Sequence, residues 1–490
     1  VKILFIYPND YLNIGIASGI ATLSAVLKQA GHEVDLFDFT FVKTRQANDS
    51  ATVEQGIYLP TPYSLADLVA ADPAQSLSAA LTEKLGRFKP DLIAVSAMTG
   101  YLDEVLLLLQ TVSLPCPVIV GGVHATISPQ DVLQREPVDL VCVGEGEGPL
   151  LELCDCLAGG RDYSKIKNLG FKQGKNIHIN ESRPFVDLND LPVPDWSLFD
   201  QRHLFRPFMG KIYRGSFYVM SRGCPGQCTY CVNGSIREIL KNCGHYFRYQ
   251  SPATTIKQLA FLKKQYGATW FKFADDSIML FNEDYLEELA RGLKPLGIQF
   301  GCSVRPETAN KRKVQLLKEM GCVAATVGVE SGNERIRKKI LNRHMSNQQI
   351  EKTIVILQEA GIRVSTFNMI GLPGETRKNV FETIALNRGL GVEAVNAYIV
   401  YPYPGTAINK KYNINIRDRQ GKIIPVEQAS NFALSAMPPR EVDGLLKTFD
   451  LYIKLPKEKW PLIKRAEGSG RQAEKMLATL REQVLASIKR

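Results

Sequence analysis

Three cysteines, Cys224, Cys228 and Cys231, stand in the run Ser221-Arg-Gly-Cys-Pro-Gly-Gln-Cys-Thr-Tyr-Cys231 with the spacing C-x3-C-x2-C. Four thiolates saturate a zinc ion or a [4Fe–4S] cluster. Three hold three irons of a cubane and leave the fourth open to another molecule, a vacancy suited to chemistry on a bound ligand. The other reading is a zinc staple completed by Cys243 or His245 further along the chain. Zinc knuckles mostly use x2 gaps at both ends, so the x3 gap favours a cluster.

Other polar residues recur just after apolar runs. They are Asp275 and Asp276 in Phe273-Ala-Asp-Asp-Ser277, Ser303 and Arg305 in Cys302-Ser-Val-Arg305, and Glu330 in Gly328-Val-Glu-Ser-Gly332. Gly371 opens Gly371-Leu-Pro-Gly-Glu375. Taken singly, Arg305 reads as a surface ion pair and 371–374 as a tight turn. Together they mark the carboxyl ends of a strand series at 217–221, 270–274, 299–304, 324–329, 364–370 and 394–400, with helical patterns between. Six βα units without reversal predict an open, partial TIM-type barrel, whose active face lies at those strand ends. The cysteine run follows the first strand and falls on that face.

An earlier series, at 2–7, 33–39, 91–97, 117–122 and 139–143, alternates with helical patterns such as 17–30 and 102–112. Continuous apolar strands between helices predict a parallel sheet covered on both faces, here doubly wound and flavodoxin-like, with ligands at the strands' carboxyl ends. The segment 42–73 reads as an excursion over that edge. The chain divides into 1–158, a linker at 159–215 with a hairpin-like stretch near 171–179, the barrel at 216–405 and a helical region at 406–490. In the last helix Leu477, Leu480, Val484 and Ile488 share a face expected to pack on the barrel.

At 490 residues two or three domains are expected. No apolar run reaches the roughly 20 residues of a membrane span. The start, Val1-Lys-Ile-Leu-Phe-Ile-Tyr7, reads as a buried strand rather than a signal peptide. Ten cysteines without a secretory signal fit a reducing, cytoplasmic setting. Cys116, Cys142, Cys154, Cys156, Cys302 and Cys322 sit in or beside apolar segments and read as packed thiols. The net charge of +10 is uneven: residues 1–160 hold 8 Lys/Arg against 19 Asp/Glu, and the other 330 hold 52 against 31. Attraction between the halves, an anionic substrate or peripheral membrane contact, and a merely solvated surface all fit that imbalance.

The cysteine run after the first strand of a βα series, with the aromatic Tyr230 before its last cysteine, resembles the radical SAM superfamily. That resemblance implies a [4Fe–4S] cluster on Cys224, Cys228 and Cys231. It also implies S-adenosylmethionine (SAM) chelated at the open iron and cleaved on reduction to a 5′-deoxyadenosyl radical. It assigns the backbone of Tyr230 to the adenine, Asp275 or Asp276 to the SAM ammonium, and Ser303 and Arg305 to the carboxylate and ribose. Glu330 falls to the ribose and the turn at Gly371 to the adenine. Where many members have Gly-Gly-Glu, this chain has Ala274-Asp-Asp276.

The first domain, with Gly121-Gly-Val-His-Ala-Thr126 and Val143-Gly-Glu-Gly-Glu147, resembles the cobalamin-binding domain of B12-dependent radical SAM enzymes. The linker run Pro192-Val-Pro-Asp-Trp196 fits the same subfamily. Cobalamin neighbours expected from it are Gly15, Ser96, Thr99, Gly121, Gly122, His124, Gly144 and Glu145, small residues allowing close approach of a bulky corrin. None of the six histidines stands in D-x-H-x-x-G, the cobalt-ligating pattern of B12 proteins, so cobalt without that lower ligand is expected, which eases reduction to Co(I).

The resemblance implies a methyltransferase acting on an unactivated carbon or on phosphorus, using SAM twice, with a low-potential donor such as a flavodoxin or ferredoxin. A small-molecule or lipid substrate is expected. Rival readings are a B12-dependent cyclase or rearranging enzyme, a tRNA methylthiotransferase and a zinc-stapled binding protein. The methylthiotransferase requires an N-terminal cysteine triad that Cys116, Cys142, Cys154 and Cys156 do not form, and nucleic acid is not expected as a partner.

Overall fold

The computed structural model describes residues 1–42, 76–209 and 211–488. The excursion expected at 42–73 lies, apart from Val42, outside the described residues. The N-terminal sheet contains β1 (Lys2–Tyr7), β2 (Glu33–Asp38), β3 (Leu92–Ser96), β4 (Val118–Gly121) and β5 (Leu140–Cys142). Their order is β2-β1-β3-β4-β5 and every pair is parallel. Ile3, Leu4, Phe5 and Ile6 are all buried, as a strand covered on both faces requires.

The segment expected as a linker does more than connect. Its hairpin, β6 (Leu169–Gln173) and β7 (Asn176–Ile179), adds two antiparallel strands at the β5 edge, pairing Leu140 with Phe171 and Cys142 with Leu169. A second hairpin, β8 (Phe205–Phe208) and β9 (Lys211–Arg214), leads into the barrel.

The second sheet runs β10 (Phe217–Tyr218), then β13 (Trp270–Phe273), β14 (Gln299–Val304), β15 (Cys322–Glu330), β16 (Arg363–Ile370) and β17 (Ala394–Ile399), all parallel and in sequence order. Between β10 and β13 a short antiparallel ribbon, β11 (Ser221–Arg222) with β12 (Arg248–Tyr249), brackets the cysteine loop. Helices follow the strand-end loops with side-chain caps. Asn282, Asn310, Ser346 and Thr376 each accept a hydrogen bond from the backbone N–H three residues on.

Helix Pro439–Lys454 packs against helix Arg377–Leu390, whereas Arg471–Ile488, expected on the barrel, packs on Pro439–Lys454 and Trp460–Ala466. Arg377 pairs with Glu441 at 3.0 Å and Glu467 at 2.6 Å. In the last helix Leu480 and Val484 are buried. Among the described residues no helix is long and apolar enough to cross a membrane.

Several polar ties join the two sheets. His203, in the segment joining the domains, is fully buried against the first one, with Nδ1 accepting from Gly15 N–H at 3.0 Å and Nε2 at 2.6 Å from Asp38. Gly15 donating to Nδ1 leaves the proton on Nε2, facing the carboxylate. Asp195 accepts from Ser24 Oγ (2.6 Å) and Lys28 Nζ (2.7 Å), Ser216 Oγ accepts from Ile16 N–H (2.8 Å), and Arg206 donates to the Ile14 carbonyl (2.7 Å). A loop before the C-terminal helices returns to the first domain: Arg417 pairs with Asp131 at 2.5 Å and Ile423 N–H donates to Asp103 at 2.5 Å.

Candidate active site

The loop 223–231 starts where Gly223 adopts φ +85°, a conformation strained for other residues, and an added Cβ would collide with the Tyr246 carbonyl. Arg237 Nη1 then donates to the carbonyls of Pro225 (3.1 Å) and Gly226 (3.4 Å), curling the loop around its own helix. Thr229 pins the far side, donating through N–H to Leu341 O (3.1 Å) and through Oγ1 to Ile340 O (2.6 Å).

This fold aims three sulfurs at a common set of donors. Arg305 Nη1 lies 3.8 Å from Cys224 Sγ and 3.7 Å from Cys228 Sγ, and Asn233 Nδ2 lies 3.6 Å from Cys231 Sγ. Burial pushes the Cys224 and Cys231 thiols up, so a neighbouring metal charge is what would ionise them. Cys243 lies instead against Ser182 and Glu145, and His245 is exposed. With Cys243 and His245 turned elsewhere, the donor set fits the expected cluster and not the rival zinc staple.

The two carboxylates after β13 have different surroundings. Asp275 is buried and accepts from Met220 N–H (3.0 Å), Ser221 N–H (2.7 Å) and Ser221 Oγ (2.5 Å), tying β13 to β11. Its Oδ2 has no partner, and burial pushes the carboxyl up to about 6. Asp276 is exposed beside the cysteine loop, holding only Asn233 Nδ2 at 3.0 Å. Of the pair, only Asp276 has a carboxylate available to a ligand's ammonium.

Beyond Arg305 runs a buried chain of charges. Arg305 Nη2 meets Glu307 at 3.0 Å, Arg343 bridges Glu307 (3.2 Å) and Glu330 (2.8 Å), and Tyr230 donates its hydroxyl to Glu330 at 3.0 Å. Burial pushes the Glu330 carboxyl up, against the pull of Arg343. Glu330 sits at φ +63°, where β15 slips register against β16. Backbone of this kind persists only where its surroundings hold it. Ser303 is half-buried on β14, and Gly371 turns the chain after β16.

The carboxyl ends of the N-terminal sheet open on a cavity of about 430 Å³. Ser96, Gly121, Gly122, Gly144 and Glu145 line it, with Ser18, Gly19 and Thr22 of helix Ser18–Gln29. Gly122 (φ +99°) lies so close to β3 that an added Cβ would stand 3.0 Å from the Ala97 carbonyl. The opposite wall is Tyr218, Ser221, Arg222 and Gly223, which lead directly into Cys224. Low walls of glycine, serine and threonine fit a large flat ligand.

Three expected cobalamin neighbours are not brought to this cavity. His124 is buried with Nδ1 3.0 Å from Thr99 Oγ1 and Nε2 3.5 Å from Asp131, so both residues bind one another inside the domain. Gly15 packs against Phe217, where any Cβ would collide with that ring. Glu145 reaches the wall but is already engaged: it accepts from Arg222 Nη1 (2.8 Å), Arg248 Nη2 (2.8 Å) and Val186 N–H (3.1 Å). Arg222 also holds Glu147 at 2.5 Å, leaving the other oxygen of Glu147 without a partner. Arg222, Arg248, Glu147, Glu307 and Arg343 were not singled out from sequence. Arg222 stands two residues before Cys224, a position that could have drawn notice.

Residues 218–386 match the Radical SAM superfamily and residues 65–154 the B12 binding domain. The chain is 27% identical over 332 residues to an uncharacterized methyltransferase of Pyrococcus horikoshii, across 66% of this chain and 69% of that protein. It is 24% identical over 428 residues to the anaerobic magnesium-protoporphyrin IX monomethyl ester cyclase of Cereibacter sphaeroides, across 83% of this chain but 63% of that protein. Its fold is similar, at TM-score 0.68 and 14% identity, to the radical S-adenosylmethionine methyltransferase TsrM of Kitasatospora setae, solved with cobalamin and a [4Fe–4S] cluster. That match covers 100% of this chain and 99% of TsrM. With a B12-binding half and a radical SAM half meeting across one cavity, the chain belongs to the cobalamin-dependent radical SAM enzymes.

Proposed function

We propose that the protein is a methyltransferase that delivers a methyl group originating in SAM to an unactivated carbon of a small-molecule substrate. The observation that carries this reading is the shared cavity. Its floor is the small-residue strand ends of the first domain, and its opposite wall runs without a break into the first cluster cysteine. When bound, the cluster with SAM supplies a carbon-centred radical, and cobalamin supplies the methyl group.

The chain's own residues hold and orient these groups. Cys224, Cys228 and Cys231 bind the irons, and Asp276 accepts hydrogen bonds from the SAM ammonium. Arg305 faces the carboxylate, and Glu330, held by Tyr230 and Arg343, is positioned for the ribose. Ser96, Gly121, Gly122 and Gly144 seat the cobalamin. Phe185, Leu188 and Tyr246 add apolar wall that excludes water from the space between.

The test is anaerobic incubation with a low-potential reductant, cobalamin, candidate substrates and SAM carrying a deuterated methyl group. Deuterated methyl in the product together with S-adenosylhomocysteine is the expected result. A converted substrate with 5′-deoxyadenosine but no S-adenosylhomocysteine would remove the methyl-transfer reading. Purified protein should contain iron and sulfide rather than one zinc.

A further inference from the structure

The cluster must receive an electron from outside, and the cysteine loop reaches the surface at Pro225 and Gln227, both exposed. Two segments flank it there. Residues 334–344 hold it through Asn342 Nδ2, which donates to Gln227 O at 3.0 Å, and through the Thr229 bonds to Ile340 and Leu341. Residues 406–413 hold it through Ile408 N–H, which donates to Thr229 O at 3.0 Å. The first segment exposes Arg335, Lys338 and Lys339, and the second exposes Lys410 and Lys411.

The carboxylates of the same surface are engaged. Glu238 pairs with Lys241 at 2.8 Å, and Glu334 accepts Asn347 N–H at 2.6 Å and lies 3.8 Å from Arg337. Among the described residues, no carboxylate lies within ion-pair distance of Arg335, Lys338, Lys339, Lys410 or Lys411. Glu238 also acts on Lys410, so Arg335, Lys338, Lys339 and Lys411 carry the unbalanced part of the field around the point where the cluster loop meets solvent. A cationic collar of this kind steers an acidic partner and orients it before contact, and its effect falls with ionic strength.

We propose that Arg335, Lys338, Lys339, Lys410 and Lys411 form the docking surface for a small acidic one-electron carrier protein that reduces the cluster. This rests on the cluster reading of Cys224, Cys228 and Cys231. One electron leaves the reduced carrier and enters the iron–sulfur site; no proton or atom is transferred. The collar belongs to the strongly basic part of the chain, and gives part of that charge a specific partner.

The test uses full-length protein loaded with cluster and cobalamin, and its variant with Lys338→Glu, Lys339→Glu, Lys410→Glu and Lys411→Glu. Binding of a purified acidic flavodoxin is measured by biolayer interferometry. Reduction of the cluster is followed by electron paramagnetic resonance with either reduced flavodoxin or titanium(III) citrate. Flavodoxin affinity and flavodoxin-driven reduction should each fall about tenfold or more, and binding to the wild type should weaken with added salt. Reduction by titanium(III) citrate should be unchanged, which also shows the variant is folded. Equal flavodoxin binding and reduction in both proteins overturns the proposal. So does slowing with both reductants, or a collar whose loss abolishes only binding to anionic phospholipid vesicles. Absence of any iron–sulfur signal in the wild type overturns it together with the cluster reading, and that signal distinguishes the two failures.

Discussion

At the carboxyl ends of the N-terminal strands the chain presents Ser96, Gly121, Gly122 and Gly144, while at the same ends of the barrel it presents Asp276, Arg305, Glu330 and Arg343. The first set provides space and close backbone, and the second provides charges, of which Arg305, Arg343 and Glu330 are tied into one chain through Glu307. The two sets suit different ligands. A large, rigid group is selected by shape, and a small zwitterion such as SAM by oriented charge in a site with little water. The contrast extends to the charge joining the halves. Glu145 and Glu147 come from the first domain, but they are spent on Arg222 and Arg248 of the second.

Five substitutions probe this contrast. The largest effect is expected from Cys228→Ala, which should abolish iron–sulfur absorbance and SAM cleavage while cobalamin binding persists. Loss of both would show that the two sites are not separable.

Next is the buried charge of the barrel. Glu375 is fully buried with one carboxyl oxygen unpartnered, and burial pushes its pKa up to about 8. In the unfolded chain it ionises near roughly 4.3. Between these values the folded protein keeps a proton that the unfolded chain has lost, so stability falls as pH rises, by on the order of 5 kcal/mol across the window. Glu375→Gln should therefore melt close to wild type below about pH 4 and increasingly above it as pH rises, with the gap complete by about pH 8. Equal melting temperatures at both ends would mean the carboxyl is ionised where it stands.

Asp276→Asn should weaken SAM binding about tenfold, seen by equilibrium dialysis, with little change in melting. Asp275→Ala should do the reverse, destabilising by about 2 kcal/mol through its three lost hydrogen bonds. Exchanged outcomes would transfer the ligand contact to Asp275.

The smallest effect is expected in the first domain. An added Cβ at Gly19 meets nothing within 4 Å, although the residue lines the cavity. Gly19→Leu should lower cobalamin affinity severalfold, read by absorbance titration, without loss of stability. Unaltered affinity would mean that the cofactor is held by polar contacts rather than by fit.

Both strand orders were legible because they follow from local patterns: apolar runs of strand length, alternating with helices, permit few arrangements of parallel sheet. The cysteine loop was legible because its ligands are neighbours in sequence. What escaped were pairings across long stretches of chain. Nothing local reveals that the hairpin at β6 and β7 will complete a sheet whose fifth strand is Leu140–Cys142, or that Arg222 will meet Glu145 and Glu147. His124, expected beside cobalamin, depends on the same kind of distant pairing. Its ring is satisfied by Thr99 and Asp131 within the fold.

The ties across the two sheets bear on how the molecule moves. Each bond removes a way in which one domain can slide or turn against the other, and here they are widely spaced. Arg222 and Arg248 are anchored beside the cavity, Ser216 at the Ile16 backbone and Arg417 on the far loop. A body fastened at separated points cannot swing about any single axis. Substrate must then enter and product leave by rearrangement of loops between the fastenings, and turnover should be paced by those loops rather than by an opening and closing of domains.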